Sequence, residues 1–169
     1  LVKFYISIAR GTPLMLQLLV VFYGPYYLFG ATLTTSYRFQ AVIIGFALNY
    51  AAYFAEIYRS GIQAVDGGQM EAARSVGFSS GEAMRLVVLP QAIRNILPAL
   101  GNEFVTVIKE SSIVSVIGIA DLMFRTNDVI AVTYKNLECL AVAALCYFVL
   151  TFVSGRAVSL AERKLSHGK

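Results

Sequence analysis

The sequence has few charged residues: Asp, Glu, Lys and Arg make up 14% of its 169 residues, about half the share found in an average soluble domain. Hydrophobic residues make up 57%, and the mean hydropathy is +0.67. A soluble domain of this length cannot bury that much apolar surface. Aromatic residues, at 12%, exclude an intrinsically disordered chain. The composition therefore indicates an integral membrane protein.

Residues that carry common enzyme chemistry are also scarce. The one histidine, His167, lies in a polar tail, so histidine cannot build a metal cluster. Cys139 and Cys146 lie roughly 10 Å apart along a helix, too far for a disulfide, and we expect both to be small buried hydrophobes. Neither an HExxH pattern nor a G-x-x-x-x-G-K-[ST] phosphate loop occurs. We therefore predict no catalytic residue, no metal site and no ATP hydrolysis by this chain.

Four segments are long and apolar enough to cross a bilayer, for which a helix needs about 20 mostly apolar residues. The predicted fold class is an all-α integral membrane protein, a multi-span helical bundle. The expected spans are residues 13–29, 39–57, 96–120 and 137–158.

The 14 basic residues are spread along the chain rather than gathered on one face, which argues against a nucleic-acid partner. Their distribution instead predicts topology, because cytoplasmic loops carry more Lys and Arg. With Arg156, near the end of the fourth span, counted in the C-terminal segment, the first, third and fifth segments carry 2, 4 and 4 basic residues, against 1 and 2 in the second and fourth. We therefore expect the start, the middle loop and the C-terminus to be cytoplasmic.

The middle loop, residues 58–95, begins with signals for a short helix. Asp66 before two glycines is a candidate helix cap. Met70, Ala73 and Val76 then recur at helical spacing and are expected to share one face. Gly77 follows and suits the left-handed conformation that closes many helices.

A second helix is predicted directly afterwards. Ser79 and Glu82 form a capping-box pattern, and Pro90 is expected to stop the helix. The loop is thus a helix-glycine-helix unit on the cytoplasmic face. An amphipathic helix lying on lipid is the alternative, but the alanines and the Glu71 and Arg74 pair favour docking against another protein.

These loop residues carry a resemblance to a known family. The stretch EAARSVGFSSGEAMRLVVLP resembles the cytoplasmic EAA loop of the membrane subunits of ATP-binding-cassette (ABC) importers. Val87 stands where the pattern has Ile. The segments RGTPLMLQL, LNYAAYFAEIYRSGIQAV, LPQAIRNILPALGNEF and KESSIVSVIGIADL resemble the polar amino-acid branch of that family. The positions that match the EAA pattern in spacing are Glu71, Ala72, Ala73, Gly77, Leu89 and Pro90.

The resemblance implies a permease subunit of a type I importer in the bacterial cytoplasmic (inner) membrane. It would form a path for ATP-driven import of a polar amino acid. The implied partners are a separate ATPase subunit that holds ATP and Mg, a second permease subunit (identical or homologous) and an extracytoplasmic binding protein. The chain itself needs no cofactor. An ATP-independent channel or facilitator for small polar solutes is the alternative function.

The family's subunits usually have a further N-terminal span. The present sequence opens with Leu rather than Met, and we expect residues 1–169 to be an importer transmembrane domain that lacks that first span.

The resemblance also implies which loop residues meet the ATPase. They are Glu71, Ala72, Ala73, Gly77 and Phe78, with Phe78 as an apolar plug in the ATPase groove. Packing of Phe78 within its own subunit is the alternative for that residue.

Polar residues inside the expected spans form two stripes. Asn49, Tyr53 and Glu56 share a helix face, and so do Glu103, Thr106 and Glu110. Because charge inside a membrane is costly and usually functional, we expect these stripes to line a water-accessible cavity for a zwitterion. The candidate substrate-pathway residues are Asn49, Tyr53, Glu56, Thr106, Lys109, Glu110 and Ser111.

Structural roles remain open for several of them. Glu56 with Arg59, or Lys109 with a carboxylate, could be ion pairs that stabilise the fold, and Asn49 could join helices by hydrogen bonds. The two acidic stripes favour substrates with cationic or amide side chains.

Overall fold

The computed structural model describes residues 1–166, so the polar tail expected around His167 lies outside the described residues. Throughout this range the regular structure is helical, and no strand occurs. The α-helices are α1 Val2–Gly11, α2 Leu14–Phe29, α3 Thr35–Gln63, α4 Gly67–Ser75, α5 Ser80–Ala83, α6 Leu89–Glu110, α7 Leu122–Thr133 and α8 Asn136–Ser166. A π-helical turn, Met84–Val88, connects α5 to α6, and a 3₁₀ helix, Ser111–Ile117, follows α6.

The chain divides into two compact units. Unit 1 comprises Leu1–Tyr53 and Thr106–Val153, and unit 2 comprises Phe54–Val105 and the segment from Ser154 onward. The predicted all-α fold class is confirmed.

The core of unit 1 is a cluster of buried apolar side chains from α2, α3 and the 3₁₀ helix. Leu18 is fully buried, and Phe22, Ala41 and Ile117 surround it. Tyr37 stacks on Phe22 with ring centroids 6.1 Å apart and donates a 2.7 Å hydrogen bond to the Val21 carbonyl oxygen. The cluster fixes α2 against α3 at the start of α3.

A sharp bend separates α1 from α2. The two axes meet at 108° across the short break that contains Thr12 and Pro13. Proline lacks the N–H that would continue the helical ladder and pushes the preceding residue to an extended backbone. Thr12 accordingly has φ −123° and ψ 145°. The break is therefore dictated by the local sequence.

Unit 2 is held together by small residues at helix contacts. A Cβ atom added to Gly61 of α3 would lie 2.2 Å from Ile96 of α6, so only glycine allows this approach. Ala73, Ala83 and Ala92 are buried in the same unit. Short side chains thus bring the backbones of α3 and α6 close together.

The second loop helix does not stop at Pro90, contrary to expectation. The chain continues from α5 through the π turn into α6, and Pro90 is the second residue of α6. In the π turn the Leu89 N–H donates to the Met84 carbonyl oxygen, five residues back. This wider turn changes the hydrogen-bond ladder immediately before the proline, which lets the helix pass without the clash expected in a regular α-helix.

Within residues 1–166, two helices are long and apolar enough to cross a membrane: Thr35–Gln63 and Asn136–Arg163. The bent pair α1 and α2 would make a third if it is counted as one span. The segment expected to span at 96–120 is α-helical to Glu110 and then 3₁₀-helical to Ile117. Which segments cross the bilayer stays a prediction.

The predicted middle loop, residues 58–95, is helical at both ends. Helix α3 continues to Gln63, and α6 already begins at Leu89. Cys139 and Cys146 are free, as expected from their spacing, but both are half-buried rather than buried.

Candidate functional site

Helix α4 of the middle loop has defined ends. The Asp66 side chain caps its start and accepts a 2.7 Å hydrogen bond from the Gly68 N–H. At its end, the Gly77 N–H donates to the Arg74 carbonyl and the Phe78 N–H donates to the Ala73 carbonyl. This pair of bonds is the Schellman motif, which needs a left-handed residue after the helix. Gly77 supplies it with φ +100°. The predicted cap and glycine turn are confirmed.

Helix α5 begins with a complete capping box. Glu82 N–H donates to the Ser79 hydroxyl at 3.4 Å, and the Glu82 carboxylate accepts from the Ser79 backbone N–H at 2.9 Å and its hydroxyl at 2.7 Å. The two hydrogen bonds that the carboxylate accepts, chiefly the one from the Ser79 hydroxyl and then the one from its backbone N–H, stabilise the charged form. They therefore lower the pKa of Glu82 below its ordinary value. The predicted capping box is confirmed.

The loop presents an exposed surface with both charged and apolar atoms. Glu71 and Ala72 are exposed while Ala73 packs inward. Phe78 is 39% exposed, so part of its ring contacts its own unit and part is available to a partner. Val76, predicted to share a helix face with Met70 and Ala73, lies just past the end of α4 at Ser75 and is 76% exposed.

Val76 is therefore a candidate contact residue that the sequence did not reveal. Val76 and Phe78 flank Gly77, and both have exposed apolar surface next to α4, the helix that carries Glu71.

A groove of about 480 Å³ lies beside the start of α5. It is lined by Ser79, Gly81, Glu82, Arg85 and Leu86. The lining contains one acid, one base and one apolar side chain. Such mixed chemistry suits a protein surface better than a lipid chain.

Asn49, from the first polar stripe, is used in packing α1 and α2 against α3. It is buried, and its amide donates to the Ala9 carbonyl at 3.2 Å and to Gln17 Oε1 at 3.1 Å. Gln17 in turn donates to Ala9, Thr12 O and Thr12 Oγ1 at 2.7 to 3.1 Å. The network satisfies backbone carbonyls freed by the break between α1 and α2. For Asn49 the geometry matches the helix-joining alternative.

Tyr53 and Glu56 also have neighbours. The Arg10 guanidinium lies over the Tyr53 ring, 5.6 Å from its centroid, close enough for a cation–π interaction. Glu56 forms an ion pair with Arg59 one turn later on α3. The pair lies within a single helix and is substantially exposed, so it resembles a surface ion pair.

The second stripe is connected to α3 by a hydrogen bond. Glu110 of α6 accepts it, at 2.7 Å, from the hydroxyl of Tyr50, a buried residue of α3. Lys109 next to it is exposed, and Thr106 is half-buried. The Ser111 hydroxyl donates to the Ile108 carbonyl at 2.7 Å and is thus engaged locally.

Sequence reasoning missed Gln17 and Tyr50. Gln17 is the amide in the otherwise apolar first turns of α2, which is a usable signal. Tyr50 is one of a run of aromatic residues that includes Phe46 and Tyr53, with neighbouring rings about 6 Å apart. The spacing of residues in the sequence does not predict that the Tyr50 hydroxyl bonds to Glu110.

A second cavity, of about 390 Å³, lies between α7 and α8. It is mainly apolar, and its lining includes Leu122, Val129 and Val142 with Arg125 and Glu138. None of the polar stripe residues lines this cavity or the groove at α5. The predicted common cavity for the two stripes stays a prediction. Among residues 1–166, no group of three or more His, Cys, Asp or Glu side chains could hold a metal ion.

Comparison with known proteins gives a consistent result. Residues 1–167 match the family model described as binding-protein-dependent transport system inner membrane component. The arginine transport system permease protein ArtQ of Bacillus subtilis (strain 168) is 46% identical over 162 residues, which are 96% of this chain and 73% of that protein. A putative glutamine transport system permease protein GlnP of Rickettsia bellii (strain RML369-C) is 43% identical over the same shares.

A further relative and a solved structure are also similar to this chain. The nopaline transport system permease protein NocM of Agrobacterium fabrum (strain C58 / ATCC 33970) is 42% identical over 94% of this chain and 68% of that protein. A crystal structure of an amino acid ABC transporter with histidines superimposes with a TM-score of 0.87 at 49% identity. The match covers 96% of this chain and 74% of that one.

Proposed function

Because this chain belongs to the family of inner membrane components of binding-protein-dependent transport systems, we propose that its helix-glycine-helix loop is the site at which an ATPase subunit drives transport. The chain is the permease subunit of an amino-acid ABC importer and is not itself an enzyme. These relatives favour that function over an ATP-independent facilitator. The observation that carries the docking proposal is the exposed surface around the Gly77 turn.

The loop surface has the properties that mechanical coupling needs. Two capped helices and a Schellman turn hold Glu71, Val76 and Phe78 in fixed positions. Glu71, in the middle of α4, contributes an exposed negative charge that a basic group of the ATPase would meet. Val76 and Phe78 supply apolar contact area. Movement of the ATPase would then move α4 and α5 as a unit.

The experiment compares two acidic residues. Glu71→Lys should leave the protein in the membrane but abolish uptake and co-purification of the ATPase. Glu138→Lys changes another exposed acid, in the first turn of α8, and should leave both intact. Normal uptake by the Glu71→Lys protein would contradict the docking assignment.

We propose that the start of the chain, the loop and the C-terminus are cytoplasmic and that the membrane is the bacterial inner membrane. The excess of Lys and Arg in those segments supports this orientation. The orientation is tested in a chain whose two native cysteines have been replaced by serine. An impermeant thiol reagent should label Asp128→Cys in intact cells but Ser80→Cys only after the membrane is opened. The reverse pattern would invert the topology.

The proposed assembly contains a second permease subunit, identical or homologous, an extracytoplasmic binding protein that delivers the substrate, and the surrounding lipid bilayer. No nucleic acid takes part. The permease needs no cofactor of its own, and the ATPase subunit holds ATP and Mg. The absence of a phosphate loop in the sequence supports this division of roles.

We propose a polar amino acid with a cationic or amide side chain as the substrate. Relatives named for arginine and glutamine transport support this class. Glu110, at the end of α6 and hydrogen-bonded to Tyr50, is the proposed partner of a substrate ammonium or guanidinium group. Lys109, exposed next to it, is the proposed partner of a carboxylate.

A further inference from the structure

Helix α1 has one face packed inside unit 1. Ala9 is buried, and the Tyr5 hydroxyl donates to the Leu48 carbonyl oxygen of α3. Arg10 lies over the Tyr53 ring, so its charge is directed toward α3 as well. These contacts fix how α1 is rotated about its own axis.

Beyond Val2, which begins the helix and is 70% exposed, two exposed stripes run along α1. Phe4 and Ile8, one turn apart, are 69% and 48% exposed and form an apolar stripe. Lys3 and Ser7, also one turn apart, are exposed and form a polar stripe. At about 100° per residue the two stripes lie about 100° apart around the helix. An exposed phenylalanine and isoleucine that share a face, clear of the polar stripe, indicate an apolar environment on one side and a polar one on the other.

The bend places this divided surface along the membrane. Because α1 meets α2 at 108°, a membrane-crossing α2 makes α1 run close to the bilayer plane. The hydrogen bonds from Gln17 to Ala9 and Thr12 hold the angle. A helix in that position contacts acyl chains on one side and headgroups on the other.

We propose that α1 is an interfacial helix, with Phe4 and Ile8 among the acyl chains and Lys3 at the level of anionic lipid phosphates. The proposal rests on the proposed function only in requiring that α2 crosses the bilayer. It assigns a lipid-binding role to α1 that transport itself does not require.

The sequence contains no tryptophan, so a single introduced tryptophan reports its depth without background. The full chain is placed in vesicles whose phosphatidylcholine carries bromine either near the headgroup or near the end of the acyl chain. Phe4→Trp should be quenched mainly by the shallow bromine. Val20→Trp, equally exposed at 69% but in the middle of α2, should be quenched mainly by the deep bromine.

Each other outcome contradicts a defined statement. If Val20→Trp is quenched and Phe4→Trp is not, α1 does not contact lipid. If the quenching of Phe4→Trp disappears as the ratio of protein to lipid rises, a second copy of the chain covers the stripe, and the lipid assignment is wrong. If neither is quenched, α2 does not cross the bilayer, and the membrane placement in the proposed function fails instead.

The charge of Lys3 is tested with brominated lipids of different headgroups. At low salt, Phe4→Trp should be quenched with about fivefold preference for a phosphatidylglycerol over a phosphatidylcholine, as expected for one basic residue near the surface. Lys3→Gln should remove the preference, and Lys3→Arg should retain it. Equal quenching by both lipids in the chain with Lys3 would contradict the headgroup contact.

Discussion

The middle loop of unit 2 and the break between α1 and α2 in unit 1 use polar side chains for different purposes. In unit 2, Asp66, Ser79 and Glu82 hydrogen-bond at exposed helix ends. In unit 1, Gln17 and Asn49 hydrogen-bond inside packed helices, next to the break between α1 and α2. The three loop residues therefore determine where α4 and α5 begin, and Gln17 and Asn49 determine how α1, α2 and α3 meet. Substitutions should accordingly change a presented surface in unit 2 and the packing or the pathway in unit 1.

The largest effect is expected in unit 1 at Glu110. Glu110→Gln keeps the shape and still accepts the Tyr50 hydrogen bond but loses the charge. A charge-assisted hydrogen bond to the substrate contributes about 1.5 to 3 kcal/mol, so substrate recognition should weaken about ten- to a hundredfold. Substrate-stimulated ATP hydrolysis by the reconstituted importer measures this, and basal hydrolysis should be unchanged.

Two further variants separate the pathway from packing. Tyr50→Phe removes the hydroxyl and leaves the charge of Glu110, so its effect should be smaller. Lys109→Met should act like Glu110→Gln if Lys109 receives the substrate carboxylate. If these variants lose assembly, the residues stabilise the fold. If they transport normally, the pathway lies elsewhere.

The next effect is expected at the break between α1 and α2. Gln17→Leu leaves the Ala9 and Thr12 carbonyls and the Asn49 amide without this partner, which should cost about 1 to 3 kcal/mol of stability. Thermal unfolding of the chain in nanodiscs measures the loss. In a double-mutant cycle with Asn49→Leu, the two residues should couple by at least about 0.5 kcal/mol. Additive effects would show that the two amides act independently.

Unit 2 should respond to a change at the Gly77 turn. A Cβ at Gly77 meets no atom within 4 Å, so the cost of Gly77→Ala comes from the backbone alone, about 1 to 2 kcal/mol for a left-handed residue. Uptake should fall and amide exchange of α4 should rise, while exchange of α2 stays unchanged. Gly81→Ala has equally open space without positive φ and should be near neutral. Equal effects of the two variants would contradict a special role for the turn.

The smallest effect is expected from acid at the capping box. Because folding lowers the pKa of Glu82, its cap stabilises α5 above the ordinary glutamate pKa of about 4.3. This stabilisation is lost as the pH falls below that value and then through the lower pKa that Glu82 has in the folded protein. Amide exchange at Ser79 should therefore increase in acid, whereas Glu82→Gln, which can still accept the hydrogen bonds, should follow only the intrinsic pH dependence. Parallel pH profiles for the two proteins would exclude the cap as the cause.

The same contrast explains which features could be predicted from the sequence. The caps at Asp66 and Ser79 and the turn at Gly77 depend on residues within a few positions of one another, so spacing alone predicts them. The contacts of Asn49 with Gln17 and of Tyr50 with Glu110 join residues 32 and 60 positions apart. Helical periodicity predicted the face of Asn49 but not the partner on it.

The prediction that the second loop helix stops at Pro90 was wrong for a different reason. Proline inside an α-helix predicts a stop because the rule assumes a regular ladder. The π turn at Met84–Val88 replaces the regular ladder of α-helical hydrogen bonds locally, and no residue pattern in the segment predicts this turn.

The π turn also sets the phase between two helical segments. A π turn contains one residue more than an α-helical path would use, which rotates the preceding segment by about 100° around the axis of the helix after the turn. Deleting one residue between Met84 and Val88 would restore the α period and turn α4, α5 and Gly77 to a different side of α6. The direction in which the loop faces is therefore encoded by the number of residues in this turn rather than by any single side chain.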